Sequence, residues 1–224
     1  MNKLNIMKNN IVIRLISGLI LGSLFLVAIF WVRPLLYVIF YLIAALMLIE
    51  WYNMTKTSKL HNLLGQVIIP IPIASLLLIS YFDHHGWLLL TYFCIIWSVD
   101  TMAMFGGKLI GGAKLAPTIS PNKTISGLIF GVTSAVIVVN VLTMLPAYQL
   151  PAVITLSNLK LSIYTTILGL IAQLSDLTIS IFKRKFNIKD TGTIIPGHGG
   201  ALDRFDSIIL TAPIVAVFFI YSYV

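Results

Sequence analysis

The stretch from Ser180 to Ser207 carries side chains and backbone groups that could bind phosphate. Lys183, Arg184 and Lys189 can neutralise phosphate charge, and a guanidinium can do so through two parallel hydrogen bonds. Glycines allow backbone amides to approach phosphate oxygens closely, and the turn after these cations contains Gly197, Gly199 and Gly200. Together these groups predict an anion site suited to a nucleotide.

Three aspartates could complete this site with a metal ion. Asp203 and Asp206 are spaced i, i+3, so a helix would place both carboxylates on one face. Asp176 belongs to an earlier apolar segment and could approach them from across the site. Oxygen ligands of this kind suit Mg²⁺, which proteins bind through one or two carboxylates together with substrate phosphates. We therefore predict Asp176, Asp203 and Asp206 as Mg²⁺ ligands and leave a second cation open.

A second polar stretch runs from Asp100 to Gly127. Asp100 ends an apolar segment, a glycine-rich loop follows, and Lys123 stands next to the predicted start of another helix. Either Ser120 or Thr124 could cap that helix, because hydroxyl side chains are favoured at the N-cap. A helix start beside a lysine is suited to bind an anion. We therefore predict substrate contacts in this stretch.

Each feature also has a plain structural interpretation. The cluster from Lys183 to Lys185 could be a positive anchor at the membrane surface. His198, between glycines, could be an ordinary turn residue, and Asp203 could form a local ion pair with Arg204. The combination of cations, carboxylates and glycines in one stretch is harder to explain by topology than any single member.

Glu50 is a separate open case. It could help to bind a cation or the substrate. It could instead lie at the membrane interface, with its neighbours Trp51 and Tyr52 as aromatic anchors. The sequence does not decide between these two roles.

The composition indicates which kind of fold must position these residues. Of the 224 residues, 58% are hydrophobic and only 10% are charged, whereas a soluble domain has about 25% charged residues. Runs of about 20 apolar residues can cross a bilayer. We predict seven such spans, at about 15–32, 35–52, 63–81, 86–105, 125–145, 161–182 and 207–224. Pro70 and Pro72 should bend the third span. The expected fold is all-α: a polytopic helical membrane protein with a single domain over residues 1–224.

Lysines and arginines gather on one predicted side of the membrane. With a cytoplasmic N-terminus, 13 of the 15 basic residues fall on the inner side, as the positive-inside rule requires. The formal charge of +8 therefore reflects topology, and we expect no nucleic-acid partner. Six of the seven acids, all except Asp83, also fall at the inner surface. Because a carboxylate within a bilayer costs roughly 2.5–3.5 kcal/mol on insertion scales, their clustering indicates a site that faces the cytoplasm.

The two polar stretches resemble those of the bacterial phosphatidate cytidylyltransferases, or CDP-diacylglycerol synthases. The motif of this family is a serine, then Lys-Arg, Lys-Asp, Pro-Gly-His-Gly-Gly and Asp-Arg-x-Asp. Here it is filled by Ser180, Lys183-Arg184, Lys189-Asp190, Pro196 to Gly200 and Asp203 to Asp206. The resemblance is strongest over residues 97–207, which include the similar stretches Asp100-Thr101 and Ser120 to Thr124. Ser175 departs from the family, since many members have glycine there.

The resemblance implies that the chain transfers a cytidylyl group from CTP to phosphatidic acid, giving CDP-diacylglycerol and pyrophosphate. It implies Mg²⁺ as the cofactor and catalytic roles for Asp176, Asp203, Asp206, Lys183, Arg184 and His198. It implies substrate contacts for Asp100, Ser120, Lys123, Thr124, Lys189, Asp190, Gly199, Gly200 and Arg204. It also implies a location in the bacterial inner membrane, in contact with the lipid bilayer, and leaves a homodimer open.

Other classes of protein share parts of this pattern. A CTP-dependent polyprenol or phytol kinase would also use CTP at a membrane, but it would release CDP in place of pyrophosphate. A transporter could carry acids in its spans as a cation path. Such a path should have acids at several depths, whereas these acids lie near one face. A purely structural membrane protein would need neither polar stretch.

Overall fold

A computed structural model describes residues 18–151, 154, 156–192 and 199–223 of this protein. Within these residues the chain is helical apart from a short antiparallel hairpin. In chain order the elements are α1 Gly18–Phe30, α2 Arg33–Thr55, α3 Lys59–Ile68, α4 Pro70–Phe82, α5 Trp87–Ile110, β1 Lys114–Ala116, β2 Ser120–Thr124, α6 Ile125–Thr143, α7 Asn158–Lys185, α8 Leu202–Phe205 and α9 Ile208–Tyr223.

The helices follow the predicted spans closely. Among the residues that the structure describes, five helical segments are long and apolar enough to cross a membrane, namely α2, α3 with α4, α5, α6 and α7. Helices α1 and α9 are apolar but shorter. The third span is interrupted at Ile69, because Pro70 and Pro72 have no N–H to donate to the preceding turn. The predicted all-α polytopic fold is confirmed.

Two glycines allow α6 to lie directly against α5. A Cβ atom on Gly127 would lie 2.5 Å from the carbonyl oxygen of Ala103. One on Gly131 would lie 2.6 Å from that of Val99. Since no side chain larger than hydrogen fits, the two backbones meet, as they do at small-residue interfaces between membrane helices. This contact holds Asp100 of α5 next to the start of α6.

The hairpin of β1 and β2 was not predicted. It pairs Lys114 with Thr124 and Ala116 with Ser120, with an irregularity between the two pairs. The sequence analysis treated these residues as a loop before a helix. Strands this short that contain proline and lysine carry no alternating apolar pattern, so only the pairing itself reveals them.

A buried apolar cluster joins α2 to the C-terminal segment that contains Asp203 and Asp206. Most of its members lie on α2, α7, α8 and α9, including Met47, Trp51, Ile179, Leu202 and Ile209. The indole Nε1 of Trp51 donates to the carbonyl oxygen of His61, 2.8 Å away. This cluster fixes α2 against α8, so residues near the end of α2 reach the stretch from Ser180 to Ser207.

Candidate functional site

A polar cavity of about 450 Å³ opens where α5, α6 and α7 meet the end of β2 and α8. The charged side chains that line it are Asp100, Lys123, Asp176, Asp203, Arg204 and Asp206. Five of the six come from the two polar stretches of the sequence, and the sixth, Asp176, is the aspartate predicted to approach them from an earlier apolar segment. The structure therefore brings distant parts of the chain together around one concave, charged surface.

Asp176 links α7 to the end of the hairpin. Its Oδ2 lies 2.6 Å from Lys123 Nζ, an ion pair whose geometry falls outside that of a hydrogen bond. Ser180, one turn further along α7, donates from Oγ to Asp176 Oδ1 at 3.2 Å. The predicted cation Lys123 and the predicted metal ligand Asp176 thus form an ion pair in the lining of the cavity.

Lys183 lies between the other two predicted metal ligands. Its Nζ donates to Asp203 Oδ1 at 2.8 Å and lies 3.9 Å from Asp206 Oδ2. The i, i+3 spacing does place both carboxylates on one side, as predicted. The buried Lys183, which we predicted as a phosphate ligand, is occupied by these carboxylates in the structure.

Asp100 is held by neutral donors. Gln173 Nε2 donates to Asp100 Oδ1 at 3.2 Å, and Ser207 Oγ lies 3.2 Å from Asp100 Oδ2. Ser175, the residue that departs from the family pattern, donates from Oγ to the backbone oxygen of Asp206. The same Oγ accepts from Leu210 N at 3.2 Å, so Ser175 joins α7 to the start of α9.

The donor chemistry around the cavity fits a hard cation such as Mg²⁺. Four carboxylates line the same space, and oxygen ligands are those that Mg²⁺ prefers. Burial and the nearby Asp176 carboxylate raise the pKa of Asp206, which precedes α9, well above its usual range, although Lys183 acts in the opposite direction. A divalent cation would relieve that repulsion. Among residues that the structure describes, no group of three His, Cys, Asp or Glu side chains is already arranged around a metal position.

The start of α6 confirms one of two predicted caps. Thr124 is the N-cap, and its Oγ1 accepts from Gly127 N at 3.0 Å. Ser120 lies in β2, so its prediction as a cap is wrong. Arg184, predicted as catalytic, donates from Nε to the backbone oxygen of Ile119 at 3.1 Å and from Nη1 to that of Ile188 at 2.9 Å. It therefore ties the hairpin turn to the end of α7.

The remaining predicted residues divide into three groups. Lys189 and Asp190 are exposed and are not among the described residues that line the cavity. Gly199 has a left-handed backbone with φ of 89°, and Gly200 is buried close to Thr191. His198 lies outside the described residues. The structure thus brings Lys123 and the three predicted metal ligands to one cavity, whereas Lys189 and Asp190 are not among its described lining residues.

Glu50 belongs to this region although the sequence did not assign it there. Its side chain is buried, with 2% exposure, and it accepts hydrogen bonds from Thr191 Oγ1, Ala201 N and Leu202 N. Glu50 and Trp51 are both buried, so the interfacial alternative is wrong for these two residues, whereas Tyr52 is 58% exposed. An acid inside an apolar span was the available signal, but its partners lie about 150 positions away.

Comparison with known proteins agrees with the resemblance seen in the motifs. Residues 60–222 match the sequence profile of the cytidylyltransferase family. A phosphatidate cytidylyltransferase of Rickettsia bellii is 54% identical over 208 residues, covering 93% of this chain and 90% of that protein. One from Rickettsia conorii is 54% identical, covering 96% and 93%. One from Bacillus subtilis is 41% identical over 132 residues, covering 58% and 47%. The chain therefore belongs to the cytidylyltransferase family.

Proposed function

We propose that this protein transfers a cytidylyl group from CTP to phosphatidic acid and releases pyrophosphate. The observation that carries the proposal is the charged cavity, built from both family motifs, in a bundle of membrane-crossing helices. Relatives that are 54% identical over nearly their whole length are named for this reaction. The product that stays in the membrane is CDP-diacylglycerol.

The reaction joins two anions, so its main requirement is charge neutralisation and alignment. An oxygen of the lipid phosphate forms a bond to the α-phosphorus of CTP, and the bond from that phosphorus to the β-phosphate oxygen breaks. Lys123 and Arg204 line the cavity and are the cations best placed to bind phosphate. The lipid phosphate is already a nucleophile, so no strong general base is needed. Phosphate contacts from Lys183, Arg184, Lys189 and His198 stay predictions.

Mg²⁺ is part of the proposal. Asp176, Asp203 and Asp206 would hold it, with Asp100 on the same cavity wall. When bound, it would withdraw charge from the phosphate oxygens of the nucleotide. A second cation stays a prediction.

The location is also proposed: the bacterial inner membrane, with the cavity towards the cytoplasm, where CTP is present. The excess of lysine and arginine on that predicted side supports this orientation. Trp97 and Met104 are large apolar side chains that line the cavity and are about half exposed. This supports sideways entry of the lipid from the bilayer. A homodimer stays a prediction.

A single assay tests the reaction. Purified protein in detergent is given phosphatidic acid and each of the four nucleoside triphosphates, labelled at the α-phosphate, with Mg²⁺ or with EDTA. We expect label to enter the lipid from CTP only, with one pyrophosphate per labelled lipid, and no incorporation with EDTA.

Two other results would contradict the proposal. Release of CDP with phosphorylation of an added polyprenol would identify a kinase. Full incorporation in EDTA would remove the metal from the proposal while retaining the transfer.

A further inference from the structure

We propose that Glu50 is a positioning residue that holds Asp203 in place for the reaction. This inference rests on the proposed function. Glu50 lies on α2, which contributes none of the residues that line the polar cavity within the described chain. Its carboxylate reaches the segment that carries Asp203 and binds it from behind.

The first contact is with the backbone just before Asp203. Glu50 Oε1 accepts from Ala201 N at 2.9 Å, and Glu50 Oε2 accepts from Leu202 N at 2.8 Å. These amides open the short helix α8, whose N–H groups have no partner within the helix itself. The carboxylate therefore fixes the direction in which Asp203, one residue further, leaves the backbone.

The second contact runs through Thr191. Thr191 Oγ1 donates to Glu50 Oε2 at 2.8 Å, while its backbone N donates to Asp203 Oδ2 at 2.8 Å. The other oxygen of Asp203 accepts from Lys183. Glu50 thus binds Thr191, which in turn donates to one carboxylate oxygen of Asp203. Glu50 also binds the backbone amides just before Asp203.

Two glycines make room for this carboxylate. A Cβ on Gly192 would lie 2.7 Å from Glu50 Oε1, and one on Gly200 would lie 2.7 Å from Glu50 Oε2. The close approach of Gly200 explains why this position of the family motif must lack a side chain. Gly192 likewise allows close approach to the other carboxylate oxygen, so a glycine lies against each oxygen of Glu50.

A buried carboxylate is costly at membrane depth unless its contacts are satisfied. Glu50 is only 2% exposed and accepts from a hydroxyl and two amides. Glu50→Gln keeps the size but turns one acceptor into an NH₂ donor that faces other donors. Substitution of a residue that orients a metal ligand typically lowers metal affinity or activity by about 10-fold to 100-fold. We expect a loss of kcat in that range and a rise in the Mg²⁺ concentration needed for half-maximal rate.

Thr191 supplies a gentler test of the same link. Thr191→Val removes only the hydroxyl, whereas Thr191→Ser keeps it. We expect Thr191→Val to shift kcat and the Mg²⁺ midpoint in the same direction as Glu50→Gln, and Thr191→Ser to restore wild-type values. In the double variant Glu50→Gln/Thr191→Val the two effects should not add fully, because both substitutions disrupt the same hydrogen bond, from Thr191 Oγ1 to Glu50 Oε2.

Asp83→Asn is the matched control. Asp83 is also a buried acid that accepts from a helix start, Leu89 N at 2.8 Å, but it belongs to the other end of α5. We expect it to keep wild-type kinetics. Thermal melting and binding of Mg²⁺ with CTP, measured by calorimetry, accompany each variant.

The outcomes separate three cases. If wild-type protein makes no CDP-diacylglycerol, the proposed function fails, and calorimetry then decides the role of Glu50: weaker binding of Mg²⁺ with CTP in Glu50→Gln and Thr191→Val supports it, and unchanged binding overturns it. If wild type is active and both Glu50→Gln and Thr191→Val keep its kcat and Mg²⁺ midpoint, the positioning role is wrong. A drop in melting temperature and active fraction with unchanged Mg²⁺ midpoint and CTP binding in both variants would also overturn it, since that marks a purely structural contact.

Discussion

Helices α5 and α7 line the polar cavity and, near their opposite ends and together with α9, also line a second cavity. This apolar cavity has a volume of about 110 Å³, against about 450 Å³ for the polar cavity. Its walls are mainly leucine, isoleucine and aromatic side chains, such as Leu88, Ile95, Leu168 and Phe218. One set of helices therefore presents charge at one end and hydrocarbon at the other.

The difference shows where this chain can tolerate buried polar groups. At the polar end, Asp176, Asp203 and Asp206 each face a lysine ammonium, and the carboxylates line a space that could admit phosphates. At the other end, the acid Asp83 stands at a helix start: Leu89 N donates to its carboxylate, and the guanidinium of Arg33 donates to its backbone carbonyl oxygen at 2.9 Å. The carboxylates at the polar end are suited to bind a ligand, whereas the carboxylate of Asp83 caps the start of α5.

The largest expected effect would follow a change of charge at the polar end. Asp176→Asn keeps the shape of the side chain but removes the charge that faces Lys123. We expect kcat for cytidylyl transfer to fall by at least about 10²-fold, as when one preorganised electrostatic contact is lost. Melting temperature should stay near that of wild type. Retained activity with Asp176→Asn would remove the polar cavity as the site of reaction.

A smaller effect, on stability, would test whether the lysines at that end are equivalent. Lys183→Met leaves Asp203 and Asp206 buried without their shared ammonium, and loss of one partner of a buried ion pair costs about 3–5 kcal/mol. Lys185→Met removes an exposed side chain whose Nζ lies 2.9 Å from His61 Nε2. Its effect should stay within about 0.5 kcal/mol.

The free energies of unfolding can be compared by chemical denaturation in detergent, followed by tryptophan fluorescence. Equal losses for the two lysine variants would mean that Lys183 is not needed to compensate the buried carboxylates.

Much of the fold could be predicted from hydropathy, because a long apolar run has few alternatives to a membrane-crossing helix. The predicted span at 125–145 is α6 Ile125–Thr143, and the predicted span at 35–52 is α2 Arg33–Thr55. The motifs also indicated which residues share the cavity, since Asp100 and Asp176 line it together. These features depend on composition and on local spacing.

Pairings between distant residues could not be predicted in this way. That Lys183 faces Asp203 rather than open space depends on how α8 meets α7, and no local pattern contains that angle. The contact of Glu50 with Ala201 and Leu202 depends on the apolar cluster around Trp51. Sequence reasoning identified both residues as unusual, but the partner of a buried charge is decided by tertiary contacts.

The smallest expected effect concerns hydroxyl groups at and near the apolar cavity. Thr165 lines that cavity, and within the described residues its buried Oγ1 has no hydrogen-bond partner. A buried polar group without a partner costs about 1–3 kcal/mol, so Thr165→Val should be neutral or stabilising. Thr211 is equally buried, but its Oγ1 donates to Ser207 O at 2.8 Å and lies 2.7 Å from Tyr92 OH. Thr211→Val should therefore destabilise the fold by about 1–3 kcal/mol, because the tyrosine hydroxyl is left unpaired. Chemical denaturation in detergent gives the free energy of unfolding of both variants. A loss of stability for Thr165→Val equal to that for Thr211→Val would show that Thr165 Oγ1 does have a hydrogen-bond partner.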